Sequence, residues 1–203
     1  MLMPYVVITQ AKIAPDYRET AISALKQFKE IWSANGAYRV LQGILMTGSN
    51  VQCSMAFNYF ENMADIESAF EAMREASIVK QTMESGKFEI LRRGILKDLF
   101  SFGTGGSGEA KFIVVTNGTA ETPELSAVEK LTNVLNANGA ISGRYGQFVM
   151  GDQANGKTYL LGAAYPSLSA IQSAYDAVAE DGAAADIYNS VSVQRRQIVR
   201  LIK

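Results

Sequence analysis

The chain repeats itself, and that repeat limits its fold more than any composition value does. Ile66-Glu-Ser-Ala-Phe-Glu-Ala-Met73 aligns with Ile171-Gln-Ser-Ala-Tyr-Asp-Ala-Val178, four identities in eight with conservative differences, where unrelated sequence matches at roughly one position in twenty. Ala34-Asn-Gly-Ala37 recurs as Ala137-Asn-Gly-Ala140, Arg92-Arg-Gly-Ile-Leu-Lys97 as Arg195-Arg-Gln-Ile-Val-Arg200, and Tyr5-Val-Val-Ile-Thr-Gln10 as Phe112-Ile-Val-Val-Thr-Asn117, in unchanged order. A chain built this way is two similar supersecondary units in tandem.

The spacing between blocks places the length changes. Thr9 to Thr116 is an offset of 107 and Ala34 to Ala137 an offset of 103, so the first helix of the second copy is four residues shorter. Four residues are about one helical turn, which keeps the same face inward. Ile66 to Ile171 is an offset of 105, which puts two extra residues in the hairpin around 151–157, where insertions are tolerated.

Each copy reads as strand, helix, strand, strand, helix, strand. Tyr5 to Ile13 is β-rich, and Ala21, Leu25, Phe28 and Trp32 then recur at helical spacing up to Asn35-Gly36, a helix-stop signal. Tyr38 to Thr47 and Val51 to Phe60 flank a Gly48-Ser-Asn turn, a helix carries Ile66, Ala69, Phe70 and Met73 inward, and Phe88 to Leu96 supplies the last strand. The second copy predicts strands at 112–117, 141–150, 158–165 and 191–202, with helices at 124–137 and 168–180. Alternation fails at the Arg pairs 92–93 and 195–196, which predicts a bulge there or a change of sheet partner.

The organisation is therefore residues 1–99, a connector at 100–110, and residues 111–203. Four glycines in the six residues 103–108 suit a flexible linker. A phosphate loop would need a closing Lys-Ser/Thr or a strand and helix of a parallel unit around it, and neither is present. Asp152-Gln-Ala-Asn-Gly156 resembles part of a calcium loop but lacks the later Glu, and Asn-Gly between strands is a hairpin signal.

Composition excludes whole classes of function. The net charge is -1, so no excess of Lys and Arg exists to neutralise a phosphate backbone, and no nucleic acid partner is expected. No apolar run approaches the roughly 18 residues of a membrane span, and the opening residues lack a signal-peptide pattern, so neither membrane association nor export is expected and the location is read as cytoplasmic. One cysteine, Cys53, agrees with a reducing compartment. The chain has no histidine. Ser-His-Asp and Cys-His catalysis, His-ligated zinc and His-ligated haem are therefore out, and any chemistry runs on carboxylates, Tyr, Lys, Arg, amides or a supplied cofactor.

Two copies of this element series, each opening on a strand like Tyr5-Val-Val-Ile-Thr-Gln10, resemble the dimeric α+β barrel superfamily, which includes the antibiotic-biosynthesis monooxygenase-like proteins. The resemblance implies an α+β fold of two ferredoxin-like βαββαβ units whose antiparallel sheets pack as one intrachain barrel, either a monomer with an internal pseudo-dimer or a homodimer. It also implies a small-molecule enzyme of the cofactor-independent monooxygenase or isomerase kind, needing no cofactor or metal, or else a non-catalytic ligand-binding or scaffold protein. The expected pocket lies between each sheet and its own helices.

Candidate ligand contacts follow. Gln10 and Asn117 hold matched positions near the end of the first strand, where an amide can bind a carbonyl or enolate, though strand ends often carry such groups. Trp32, Tyr38, Tyr59, Tyr145 and Tyr165 can surround an aromatic or polyketide-like ligand, or simply form core. Arg39 and Arg144 can hold an anionic oxygen or lie solvated. Consecutive strand residues point to opposite faces, so one Arg of each pair turns inward unless the strand bulges, and an inward Arg needs either a carboxylate across the barrel or an anionic ligand. Recurrence in both copies predicts a structural ion pair.

Overall fold

The computed structural model describes residues 4–103 and 109–203, apart from the side chains of 183–185. The first repeat runs β1 (Tyr5–Ile13), a 3-10 turn (Pro15–Tyr17), α1 (Arg18–Ala34), β2 (Arg39–Leu45), β3 (Ser54–Phe60), α2 (Met63–Glu75), α3 (Ser77–Glu84) and β4 (Phe88–Gly103). The second runs β5 (Phe112–Thr119), α4 (Leu125–Ala137), β6 (Ser142–Met150), β7 (Thr158–Tyr165), α5 (Leu168–Asp181), α6 (Ala183–Ser190) and β8 (Ser192–Leu201). Helix α1 has 17 residues and α4 has 13, the one-turn difference that the offsets require.

The eight strands close into one barrel in the order β1-β3-β2-β8-β5-β7-β6-β4. Every neighbouring pair is antiparallel, so β1 and β5 run the same way and the pseudo-twofold axis lies along the barrel. Side chains alternate between the barrel interior and the outer layers. Val6, Ile8, Phe57, Tyr59, Leu96, Ile113 and Val199 fill the interior, while Val7, Phe60, Val114 and Tyr165 meet the helices. The repeats join at two seams, β4 against β6 and β2 against β8. Matched glycines serve both: a Cβ on Gly43 would lie 2.5 Å from the Arg200 carbonyl oxygen, and one on Gly146 2.4 Å from that of Lys97.

Three details differ from the sequence reading. Helices α3 and α6 were not foreseen: extended backbone at Ala76 ends α2, left-handed Gly182 ends α5, and a short helix then packs before the last strand. Strand β4 continues to Gly103 because β6 pairs with it from Ile95 onward. The expected connector 100–110 therefore loses its first four residues to a strand, and 104–108 lie outside the described residues. The irregularity at the Arg pairs is a bulge in each copy, at Leu91 opposite Gln10/Ala11 and at Gln194 opposite Asn117/Gly118.

Candidate functional site

On the outer face of the first repeat, strand register lines up Arg93, Thr9, Ala56 and Gln42 in one row across β4, β1, β3 and β2. Asn58 lies in the next row, opposite Val7 and Val40. These residues are short or polar, so α1 and α2 stand over a gap where a packed core would place bulk. The result is a cavity of about 190 Å³, walled by Phe28 and Trp32 of α1, Phe70 and Met73 of α2, and Val79 and Met83 of α3. Trp32 packs edge-on against Phe60 and Phe70, which fixes the ring.

Two polar groups define what this cavity can hold. Asn58 is fully buried, and neither its amide nitrogen nor its carbonyl oxygen has a hydrogen-bond partner among the described residues. Arg93 donates from Nε to the Thr9 hydroxyl at 3.0 Å and lies 5.2 Å over the Phe70 ring. The side chain also lines the cavity. The arrangement offers an amide that can donate and accept at depth, and a positive charge at the entrance.

The second repeat keeps the arginine and loses the space. Its matching row is Arg196, Thr116, Leu161 and Tyr145, and Asn58 and Ser54 are replaced by Ala163 and Tyr159. Tyr145 and Tyr159 stack with ring centres 5.5 Å apart, leaving about 40 Å³. Arg196 donates to the Thr116 hydroxyl at 3.3 Å and to the Tyr188 hydroxyl at 2.7 Å, over the Tyr175 ring.

The residues singled out in sequence scatter over four places. Trp32 lines the first-repeat cavity, as does Arg93 of the first Arg pair. Gln10 and Asn117 are buried but point into the barrel, because they share a face with Ile8 and Val115, so they do not meet the helices. Arg39, Tyr59 and Arg144 also face the interior, at the barrel end where β1 begins, with Tyr38 half exposed beside them. Burial pushes the Tyr59 hydroxyl up to about 12. Tyr145 and Tyr165 are core under the second-repeat helices, and burial raises both hydroxyls further. The expected structural ion pairs at the Arg doublets are absent among the described residues: Arg93 and Arg196 take a threonine hydroxyl and an aromatic face, and Arg92 and Arg195 turn to the barrel side opposite Gln10 and Asn117.

Asn58, Gln42, Ser54 and Thr9 were missed. The signal lay in β3, whose alternate residues Ser54, Ala56 and Asn58 are small or polar where β7 has Tyr159, Leu161 and Ala163. Among the described residues no cluster of three metal-ligating side chains occurs, and no helix is long and apolar enough to cross a membrane.

Solved structures share this architecture. A candidate monooxygenase of Fusobacterium nucleatum superimposes with a TM-score of 0.72 at 9% identity, over 99% of this chain and 93% of that one. A candidate monooxygenase of Lactobacillus acidophilus gives 0.65 at 14%, over 98% and 93%. An anthrone oxidase-like protein gives 0.63 at 12%, over 100% and 92%. These likenesses establish the dimeric α+β barrel fold, here closed within one chain. No curated protein matches. The model of one family, described as Domain of unknown function (DUF6854), matches twice, at residues 4–98 and 110–201, once for each βαββαβ repeat, and the chain belongs to that family.

Proposed function

We propose that the chain is a small-molecule enzyme working without a bound cofactor, of the monooxygenase or isomerase kind, with its active site in the first-repeat cavity. The observation that carries this reading is Asn58. Leaving both ends of an amide unpaired in an apolar pocket is costly, about 1–3 kcal/mol for each unmet group. A ligand carbonyl or hydroxyl meeting it removes that cost. The aromatic walls suit a ring, and about 150 Å³ is enough space to hold benzene, so one ring of an aromatic, polyketide-like ligand fits inside with the rest at the mouth.

The cavity lining contains no carboxylate, and the chain has no histidine. Proton removal therefore suits a substrate that is itself acidic, such as a diaryl ketone whose CH2 is conjugated with the carbonyl through the aryl rings. Such a substrate loses its proton to water while Asn58 donates to the resulting enolate oxygen and the Arg93 charge at the mouth offsets its negative charge. In the oxygenase case the carbanion carbon bonds to molecular oxygen, giving a hydroperoxide that collapses to a carbonyl: CH2 and O2 become C=O and H2O. In the isomerase case the proton returns to a different carbon. The same lack of a base favours, as a second reading, a protein that binds such a ligand and leaves it unchanged.

Anthrone is the probe that separates them. The enzyme reading expects oxygen uptake and anthraquinone formation above the buffer rate, falling roughly 100-fold in Asn58→Leu. Saturable anthrone binding, lost in Asn58→Leu, with uptake at the buffer rate would establish the binding reading. Neither binding nor turnover would overturn both.

A further inference from the structure

We infer that the barrel interior holds a second binding site, for a small carboxylate with an apolar tail. It is a cavity of about 170 Å³ on the opposite face of the sheet from Asn58, at the end where β1 begins. Its depth is apolar: Ile8, Leu41, Phe57, Leu96, Ile113 and Leu160. Its neck is polar, with Arg39, Arg144, Tyr59, Ser101 and Ser142.

The space has an identifiable origin. Gly162 occupies the position in β7 that Phe57 holds in β3. A Cβ on Gly162 would meet only the Ile113 and Leu160 side chains, each at 3.9 Å, which is ordinary contact. The barrel therefore carries a phenyl group on one side and a vacancy facing it, and a hydrocarbon group of that size is what the vacancy accepts.

Charge at the neck gives the other half of the ligand. Arg144 is ion-paired with buried Asp98 and lies 5.1 Å over the Tyr59 ring. Arg39 lies 5.5 Å over the same ring, its Nε is buried without a hydrogen-bond partner, and no carboxylate is within ion-pair distance of it among the described residues. Two guanidinium groups thus face one carboxylate, a surplus of one positive charge. Glu61 lies within electrostatic range of Tyr38 beside the neck and makes no ion pair with Arg39 among the described residues. Tyr59 keeps its proton well above neutral pH and serves as a donor. An unpaired guanidinium over an apolar shaft selects a carboxylate head on a body of about six carbons, given that about 150 Å³ holds benzene.

Calorimetric titration of the purified chain with sodium hexanoate and sodium benzoate tests this, with 1-hexanol as the neutral control and sodium phosphate as the bare anion. The site predicts saturable one-to-one binding of both carboxylates, hexanol at least roughly tenfold weaker, and no phosphate binding. Gly162→Leu fills the shaft and abolishes binding, Arg39→Gln weakens it roughly tenfold or more, and Asn58→Leu leaves it unchanged. Should Gly162→Leu fail to fold, Ala164→Val narrows the same shaft and must weaken binding. No saturable carboxylate binding, binding that survives Gly162→Leu, equal affinity for hexanol, or loss in Asn58→Leu would each overturn the proposal, and the last would move the ligand to the helix-covered cavity.

Discussion

Strands β3 and β7 hold the same place in their repeats and distribute bulk in opposite directions. β3 turns Phe57 and Tyr59 into the barrel and leaves Ser54, Ala56 and Asn58 under its helices. β7 turns Tyr159, Leu161 and Tyr165 under its helices and leaves Gly162 and Ala164 facing the barrel. Each strand is bulkier on one side than on the other, which leaves open space under the first-repeat helices and inside the barrel beside β7. Duplication preserved the backbone and the Arg-Thr pairs, while exchange of volume across a single strand decided where space is left.

Exchanging residues across that comparison gives the largest effect. Tyr159→Ser installs the first-repeat residue in the second repeat, removing a ring that is 2% exposed and stacked on Tyr145. Loss of a buried aromatic costs about 3–5 kcal/mol, whereas Ser54→Ala at the matched position should stay within about 1 kcal/mol. Denaturant unfolding of the two variants measures the difference. A cost under about 1 kcal/mol for Tyr159→Ser would mean that the tyrosine pair is not what closes the second cavity.

The two seams differ in the same spirit. Asp98 of β4 and Arg144 of β6 make a buried ion pair, and the matched positions at the other seam are Leu201 and Leu41. Arg144→Leu strands Asp98 and should cost about 2–3 kcal/mol, reduced from the fully buried case because the Arg144 side chain is 25% exposed. The double change to leucine, copying the apolar seam, should return to within about 1 kcal/mol of the parent or exceed it. Burial pushes the Asp98 carboxyl above its ordinary value of 3.8, partly offset by Arg144. A raised carboxyl holds its proton more tightly in the native state. Its stabilising contribution is complete below about pH 3.8 and is lost as pH rises through the raised value. Asp98→Asn should remove that loss, so its stability gains on the parent over the same interval; parallel pH profiles would refute the assignment.

What the sequence revealed and what it hid follow one physical line. Element order, the one-turn difference between α1 and α4 and the two bulges were legible because insertions and broken alternation are one-dimensional signals. The cavities were not, since they depend on which face of a strand meets which layer. Gln10 and Asn117 were correctly paired with each other, yet alternation places them with Ile8 and Val115 inside the barrel. Asn58 looked like one polar residue in an apolar strand. Its importance comes from what lies above it, and only comparison with Ala163 marks the position as one where the repeats diverge. Helices α3 and α6 were hidden because each is only eight residues long and its stability comes from docking.

The arginines that both repeats share sharpen the contrast at its smallest scale. Arg93 and Arg196 share the Nε contact to a threonine and the aromatic face, but Arg196 also donates to the Tyr188 hydroxyl at 2.7 Å. Both side chains reach solvent, so each contact contributes at the low end of the range for a hydrogen bond, about 0.5 kcal/mol. Arg196→Ala should cost about 1 kcal/mol and Arg93→Ala about half that, with Tyr188→Phe accounting for the difference. Ligand binding should respond in reverse, because Arg93 stands at an open mouth and Arg196 over a filled one. If both alanine variants cost the same and neither alters ligand affinity, the arginine is a structural clasp in both repeats and the cavity must be explained by Asn58 and its aromatic walls alone.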